Sequence, residues 1–113
     1  MQNWKGYLKK MNELNLIILD TAQRELEEFA KVRTELVGGK SARKFMKDIY
    51  SRIELLKTTP LMGTECDEPP FEGSHFRKLV CKNYLCFYKV MGDTVYIYHV
   101  ADGRTDYPAL FRR

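Results

Sequence analysis

The spacing of apolar residues along the chain changes twice. From Leu14 to Leu19 (LNLIIL) they form a nearly continuous run broken only by Asn15, which predicts a strand buried on both faces of a sheet. Beyond Asp20 they thin out to Ala22, Leu26, Phe29 and then Leu36 or Val37, one face of an amphipathic helix. Asp20 is placed to cap that helix, with Gln23 three residues on to reach back. Gly38-Gly39 ends it, because glycine accepts the left-handed backbone of a helix C-terminus. Ser41 is the expected cap of a second helix, in which Phe45, Ile49, Ile53 and Leu56 repeat at i, i+4, i+8, i+11. Helices joined by so short a link run antiparallel. Pro60 and Gly63 close the second one, and an irregular loop is expected to run on to His75.

The second half reads as strand. Phe76–Cys81, Leu85–Val90 and Val95–Ala101 are rich in aromatic and β-branched residues. They are linked through Lys82-Asn83-Tyr84 and through Met91-Gly92-Asp93-Thr94, turns of the kind that join a meander. A C-terminal segment, Asp102–Arg113, follows. The expected architecture is α+β in two layers: strand, helix, helix and a three-stranded meander, with both helices on one face of a four-stranded sheet, mixed or antiparallel.

A length of 113 residues holds a single domain, and a 44% hydrophobic fraction suits a folded one. Residues 13–113 are expected to form that domain. Residues 1–12 read as an extension, a tail or a short helix around Trp4–Met11, and Met11 is an alternative start. The apolar run at Leu14–Leu19 is too short to span a bilayer and lacks a signal-peptide cleavage site, so a cytoplasmic protein is expected. Cys66, Cys81 and Cys86 form no CxxC pair, and only His75 and His99 accompany them; neither a metal nor another cofactor is implied. They read as small buried hydrophobes in a reducing compartment.

The net charge of +4 is mild, but its distribution is uneven. Residues 40–57 are basic, the stretch from Glu65 to Glu72 carries four acids and no base, and Arg77–Lys89 is basic again. Such polarity suits a nucleic-acid or ribosome partner, and equally the solvated faces of a small protein.

Three stretches carry a family pattern. They are Phe76-Arg77-Lys78-Leu79-Val80, then Tyr84-Leu85-Cys86-Phe87-Tyr88-Lys89-Val90, then Val95-Tyr96-Ile97-Tyr98-His99-Val100. In order and spacing they resemble the "R-x-L … Y-x-x-x-Y-x-V … V-x-I" of the RelE/ParE toxins. Asp102-Gly103-Arg104-Thr105-Asp106-Tyr107 is similar to the "H-x-R-x-D-Y" that closes the last strand of many of them, and the Pro60–Gly63 exit fits as well. The likeness spans residues 13–111. It implies the toxin of a bacterial type II toxin–antitoxin pair, neutralised by a cognate antitoxin. RelE-like members cut messenger RNA on the ribosome without a metal, and this is the favoured expectation. ParE-like members inhibit DNA gyrase without catalysis, which is the alternative; a non-toxic interaction module on the same fold is a third.

Under the nuclease expectation, the resemblance gives Arg77 and Arg104 the role of phosphate clamps, for which a planar, permanently charged guanidinium is suited. Each is otherwise a surface arginine paired with a carboxylate such as Glu72 or Asp106. Tyr107 matches the position of an aromatic acid/base or stacking residue, or it packs the C-terminal segment onto the sheet. Glu72 with His75 stands where the best-known nucleases carry a lysine pair, so His75 is a candidate base. His99 is expected to face away from Tyr98 and Val100. Arg43, Lys44 and Lys47, together with Lys78, are candidate RNA- or target-binding residues, or the solvent face of their elements.

Overall fold

The computed structural model describes residues 13–112. The elements are β1 (Asn15–Ile18), α1 (Asp20–Val37), α2 (Gly39–Glu54), a 3-10 turn Leu55–Lys57, β2 (Thr64–Glu65), β3 (Arg77–Cys81), β4 (Tyr84–Met91), β5 (Thr94–Asp102) and a 3-10 turn Tyr107–Phe111. The short helix expected around Trp4–Met11 lies outside the described residues. The sheet order is β1-β5-β4-β3-β2, with β1 parallel to β5 and every other pairing antiparallel. It is therefore a mixed α+β sheet with five strands rather than the expected four. The extra one, β2, is two residues that pair with Arg77 and Lys78 inside the segment expected to be irregular. So short a strand has no period of its own and exists only because β3 offers it an edge.

The main core lies between the helices and the sheet. Ala22 and Leu26 of α1 and Phe45, Ile49 and Ile53 of α2 pack on Leu79, Cys86, Tyr88, Val95, Ile97 and Val100. Side chains of this size contribute roughly 1.5–3 kcal/mol each when fully buried. The apolar face of α1 is shorter than its sequence suggests. Leu36 and Val37 are 76% and 60% exposed, because the helical hairpin outruns the sheet beneath it. β1 is not buried on both faces either: it is an edge strand, and Ile17 is 43% exposed. Nor do the expected caps form. α1 already includes Asp20, and Gln23 reaches Glu27 rather than the helix start. α2 starts at Gly39, two residues ahead of Ser41, whose hydroxyl accepts from Arg33 instead.

The two hairpins turn at Lys82-Asn83 and Gly92-Asp93, with Lys82 and Gly92 left-handed (φ 57° and 61°). Between β4 and β5 the register slips by one: Tyr88 pairs with Ile97 and Phe87 with His99. Tyr98 is thus a bulge residue. The expectation that Tyr98 and His99 face opposite ways fails for this reason. Both point to the sheet face away from the helices, Tyr98 against Phe76 and His99 against Phe111. That face is covered in turn by an aromatic cluster in which Phe71, Phe76, Tyr107 and Phe111 pack around Phe87 and Ala101.

Candidate functional site

Arg77 opens β3 and pairs with Tyr88, so the two share the helix-side face of the sheet with Leu79 and Cys81. Both grip the Pro60–Gly63 turn. The Tyr88 hydroxyl donates to the Pro60 carbonyl at 2.6 Å and accepts from the Gly63 N–H at 2.9 Å. The Arg77 guanidinium donates to the Gly63 carbonyl from Nε (3.1 Å) and Nη2 (2.8 Å), and from Nη2 to the Leu61 carbonyl (3.2 Å). A β-carbon at Gly63 would lie 2.7 Å from the Lys78 carbonyl and 2.8 Å from the Tyr88 ring and hydroxyl, so any side chain there would force the strand or the buried ring to shift. Burial pushes the Tyr88 phenol above its ordinary pKa.

Arg104 lies beyond β5 and does not converge on Arg77. It is held by Asp102, to which it donates from Nε (2.9 Å) and Nη2 (2.8 Å) as well as from its backbone N–H. That ion pair holds the Asp102 carboxyl down at about 2. Tyr107 packs half-buried against Phe87, ring centroids 5.4 Å apart, on the face opposite Arg77. Glu72 and His75 are both exposed, and neither side chain has a hydrogen-bond partner among the described residues. His75 is left-handed, with φ 65°. The five residues singled out for catalysis thus occupy both sides of the sheet and an outer loop, and no hydrogen bond, ion pair or ring contact among the described residues joins any two of them.

The other histidine has a partner that the sequence does not reveal. Beyond Ile97, β5 has lost β1 as a neighbour, and Glu25 of α1 covers the open edge. One carboxylate oxygen accepts from the Val100 N–H at 2.9 Å and the other lies 3.1 Å from His99 Nδ1. Glu25, Gly63 and Tyr88 are the residues missed by sequence reasoning. Tyr88 was visible as the second tyrosine of the family pattern, but without its reason.

Lys78 faces the aromatic side, beside Phe87. It lines a cavity of about 250 Å³ with Glu65, Asp67, Glu68, Phe71 and Tyr107. Arg43, Lys44 and Lys47 are exposed on α2, and Lys44 bonds Asp48 at 3.2 Å. All three cysteines are free and buried; burial pushes Cys81 up to about 11 and Cys86 well above its usual range, which makes both unreactive. Among the described residues, no cluster of three or more His, Cys, Asp or Glu side chains could hold a metal ion. No helix among them is long and apolar enough to cross a membrane.

A family profile described as "ParE toxin of type II toxin-antitoxin system, parDE" matches residues 16–107, most of the chain: all of β1 but its first residue, both helices and β2 to β5. The chain belongs to the ParE toxin family. Among solved structures it is similar to the "Chromosomal ParDE TA system from P. aeruginosa", with a TM-score of 0.69 and 18% identity over 80% of this chain and 97% of that one. At that identity the likeness is one of fold. No curated protein matches the sequence. The ParE profile takes in the whole Arg77–Gly63–Tyr88 knot and Arg104, and it ends at Tyr107, where the C-terminal turn begins. What the RelE/ParE resemblance implied, the toxin of a type II pair on an α+β fold, is therefore correct for this chain.

Proposed function

We propose that this toxin acts by binding, as a DNA gyrase inhibitor of the ParE kind, rather than by cutting messenger RNA. The observation that carries the reading is the state of Arg77. A phosphate clamp needs free guanidinium donors, and those of Arg77 at Nε and Nη2 are spent on the carbonyls of Leu61 and Gly63. Metal-free cleavage also needs a base, a clamp and an acid around one phosphate. Arg104 is paired with Asp102, and Tyr107 is packed on the other face. A binder needs no such convergence. Membership of the parDE family supports a second partner, the cognate antitoxin, which keeps the toxin inactive until it is released.

The test uses purified chain in two assays. Supercoiling by gyrase should be inhibited in proportion to added chain, while message bound to ribosomes stays intact. Cleaved message with unaffected supercoiling would reverse the assignment and return Arg104, Tyr107, Glu72 and His75 to catalytic roles.

A further inference from the structure

The densest run of positive charge on the described helices lies on α2. Lys40, Arg43, Lys44 and Lys47 follow one another on α2 at i, i+3, i+4, i+7 and form a single stripe. The buried residues of the same helix are Ala42, Phe45, Ile49 and Ile53, so the cationic stripe points directly away from the core. The turn between β3 and β4 adds a fifth cation. Lys82 donates to Asp48 at 2.7 Å, and Lys44 donates to the same carboxylate oxygen at 3.2 Å. Asp48 thereby ties the turn to the helix and makes one ridge from two elements. Five cations against one carboxylate leave a surplus of four, which equals the net charge of the whole chain, +4. Over the rest of the sequence cations and acids balance only in sum: Arg77–Lys89 is basic, and the stretch from Glu65 to Glu72 has four acids and no base.

The exposure of these groups fits an unmet partner. Lys44 and Lys82 remain 75% and 60% exposed despite sharing Asp48. Lys40, Arg43 and Lys47 are exposed and have no carboxylate within ion-pair distance among the described residues. No exposed aromatic ring interrupts the stripe: Phe45 is buried beneath it and Tyr50 is half-buried, bonded to Gln23. Proteins that hold single strands stack bases on aromatic platforms. A purely cationic ridge instead suits a duplex, where phosphates are displayed and bases are not. Lys40 to Lys47 spans about 10 Å of helix, a length of B-DNA that carries about six phosphate charges.

We infer that the outer stripe of α2 together with Lys82 is a contact surface for the phosphate backbone of double-stranded DNA, bound without regard to sequence. The inference rests on the gyrase reading, since that target works on duplex DNA and a toxin seated on it would meet the duplex. The acidic stretch from Glu65 to Glu72 would be repelled by the same polyanion, so the charge asymmetry also orients the molecule.

The experiment measures binding of the purified chain, without gyrase, to a labelled DNA duplex across a salt series. Four surplus charges correspond to a log–log slope of about −3.6, so doubling the salt weakens binding roughly twelvefold. The triple variant Lys40→Gln, Arg43→Gln, Lys47→Gln should lose about 2.7 of that slope and respond less than twofold to the same doubling. A control triple, Arg24→Gln, Lys57→Gln, Arg112→Gln, removes equal charge elsewhere and should keep the wild-type slope. Absent duplex binding, equal slopes in the two triples, or tighter binding to duplex RNA or to an acidic protein than to duplex DNA would each overturn the inference. None of these outcomes touches gyrase inhibition, which is read in the supercoiling assay.

Discussion

Tyr88 and Gly63 lie 25 residues apart in sequence and in direct contact in space, phenol oxygen to amide nitrogen at 2.9 Å. Their contact anchors the segment that leaves α2 to the centre of the sheet. Gly63→Ala forces a methyl group to within 2.7 Å of a backbone oxygen and 2.8 Å of a fully buried ring, neither of which can yield without cost. Overpacking of this sort costs about 1–3 kcal/mol. Tyr88→Phe leaves the Gly63 N–H and the Pro60 carbonyl without their partner, at about 1–3 kcal/mol. Urea unfolding should show both variants with a lower midpoint, and an unchanged midpoint in either would mean that the turn is held by something else.

Arg77 and Arg104 should separate in the same assay. Arg77→Gln removes charge-assisted bonds to two carbonyls of the Pro60–Gly63 turn and should cost about 1.5–3 kcal/mol. Arg104 is 71% exposed and joined to a residue two positions away, so Arg104→Gln should leave the unfolding midpoint in place. The reverse order would show that Arg77 is free to act as a clamp.

Much of this architecture is legible in the sequence, because the helices and the meander each carry their own period. Phe45, Ile49 and Ile53 are buried where their spacing puts them, and β3, β4 and β5 sit where β-branched and aromatic residues cluster. Apart from the helix caps, the misses are decided by what lies far away in sequence. Thr64 and Glu65 form a strand only against Arg77 and Lys78, and Tyr98 bulges only because β4 and β5 slip in register. Leu36 and Val37 continue the apolar period of α1 past the point where the sheet ends. The site suffers most. An arginine at a family position reads as a clamp in one dimension, and only the fold brings the Leu61 and Gly63 carbonyls up to Arg77.

Glu25 substitutes for a missing strand at the open edge of β5. In Glu25→Ala the Val100 amide loses its acceptor, and His99 loses its carboxylate. Hydrogen exchange at the Val100 amide should become much faster, with β4 amides unchanged, and stability should fall by about 1–3 kcal/mol. Undiminished protection of Val100 would show that α1 covers the edge without that bond.

The Asp102–Arg104 pair sets a pH signature. The carboxyl is held down at about 2 chiefly by its hydrogen bonds from Arg104. The depressed folded pKa fixes the sign: the pair's contribution, kept small by solvent at this exposed site, is present above the ordinary carboxylate value, near 3.9, and is lost as pH falls from there through about 2. Carbon-13 NMR of the Asp102 carboxyl should titrate near the lower value in the wild type and return toward the ordinary one in Arg104→Gln. Coincident titrations would place Arg104 away from Asp102 in solution.

The central claim is that this ParE-family toxin stops growth by engaging gyrase and not by cleaving message. Induction of the chain in growing cells, with pulses of labelled thymidine and labelled methionine taken over the first minutes, separates the two. Thymidine incorporation should collapse first, while methionine incorporation continues. Immediate loss of methionine incorporation, with DNA synthesis persisting, would contradict the claim.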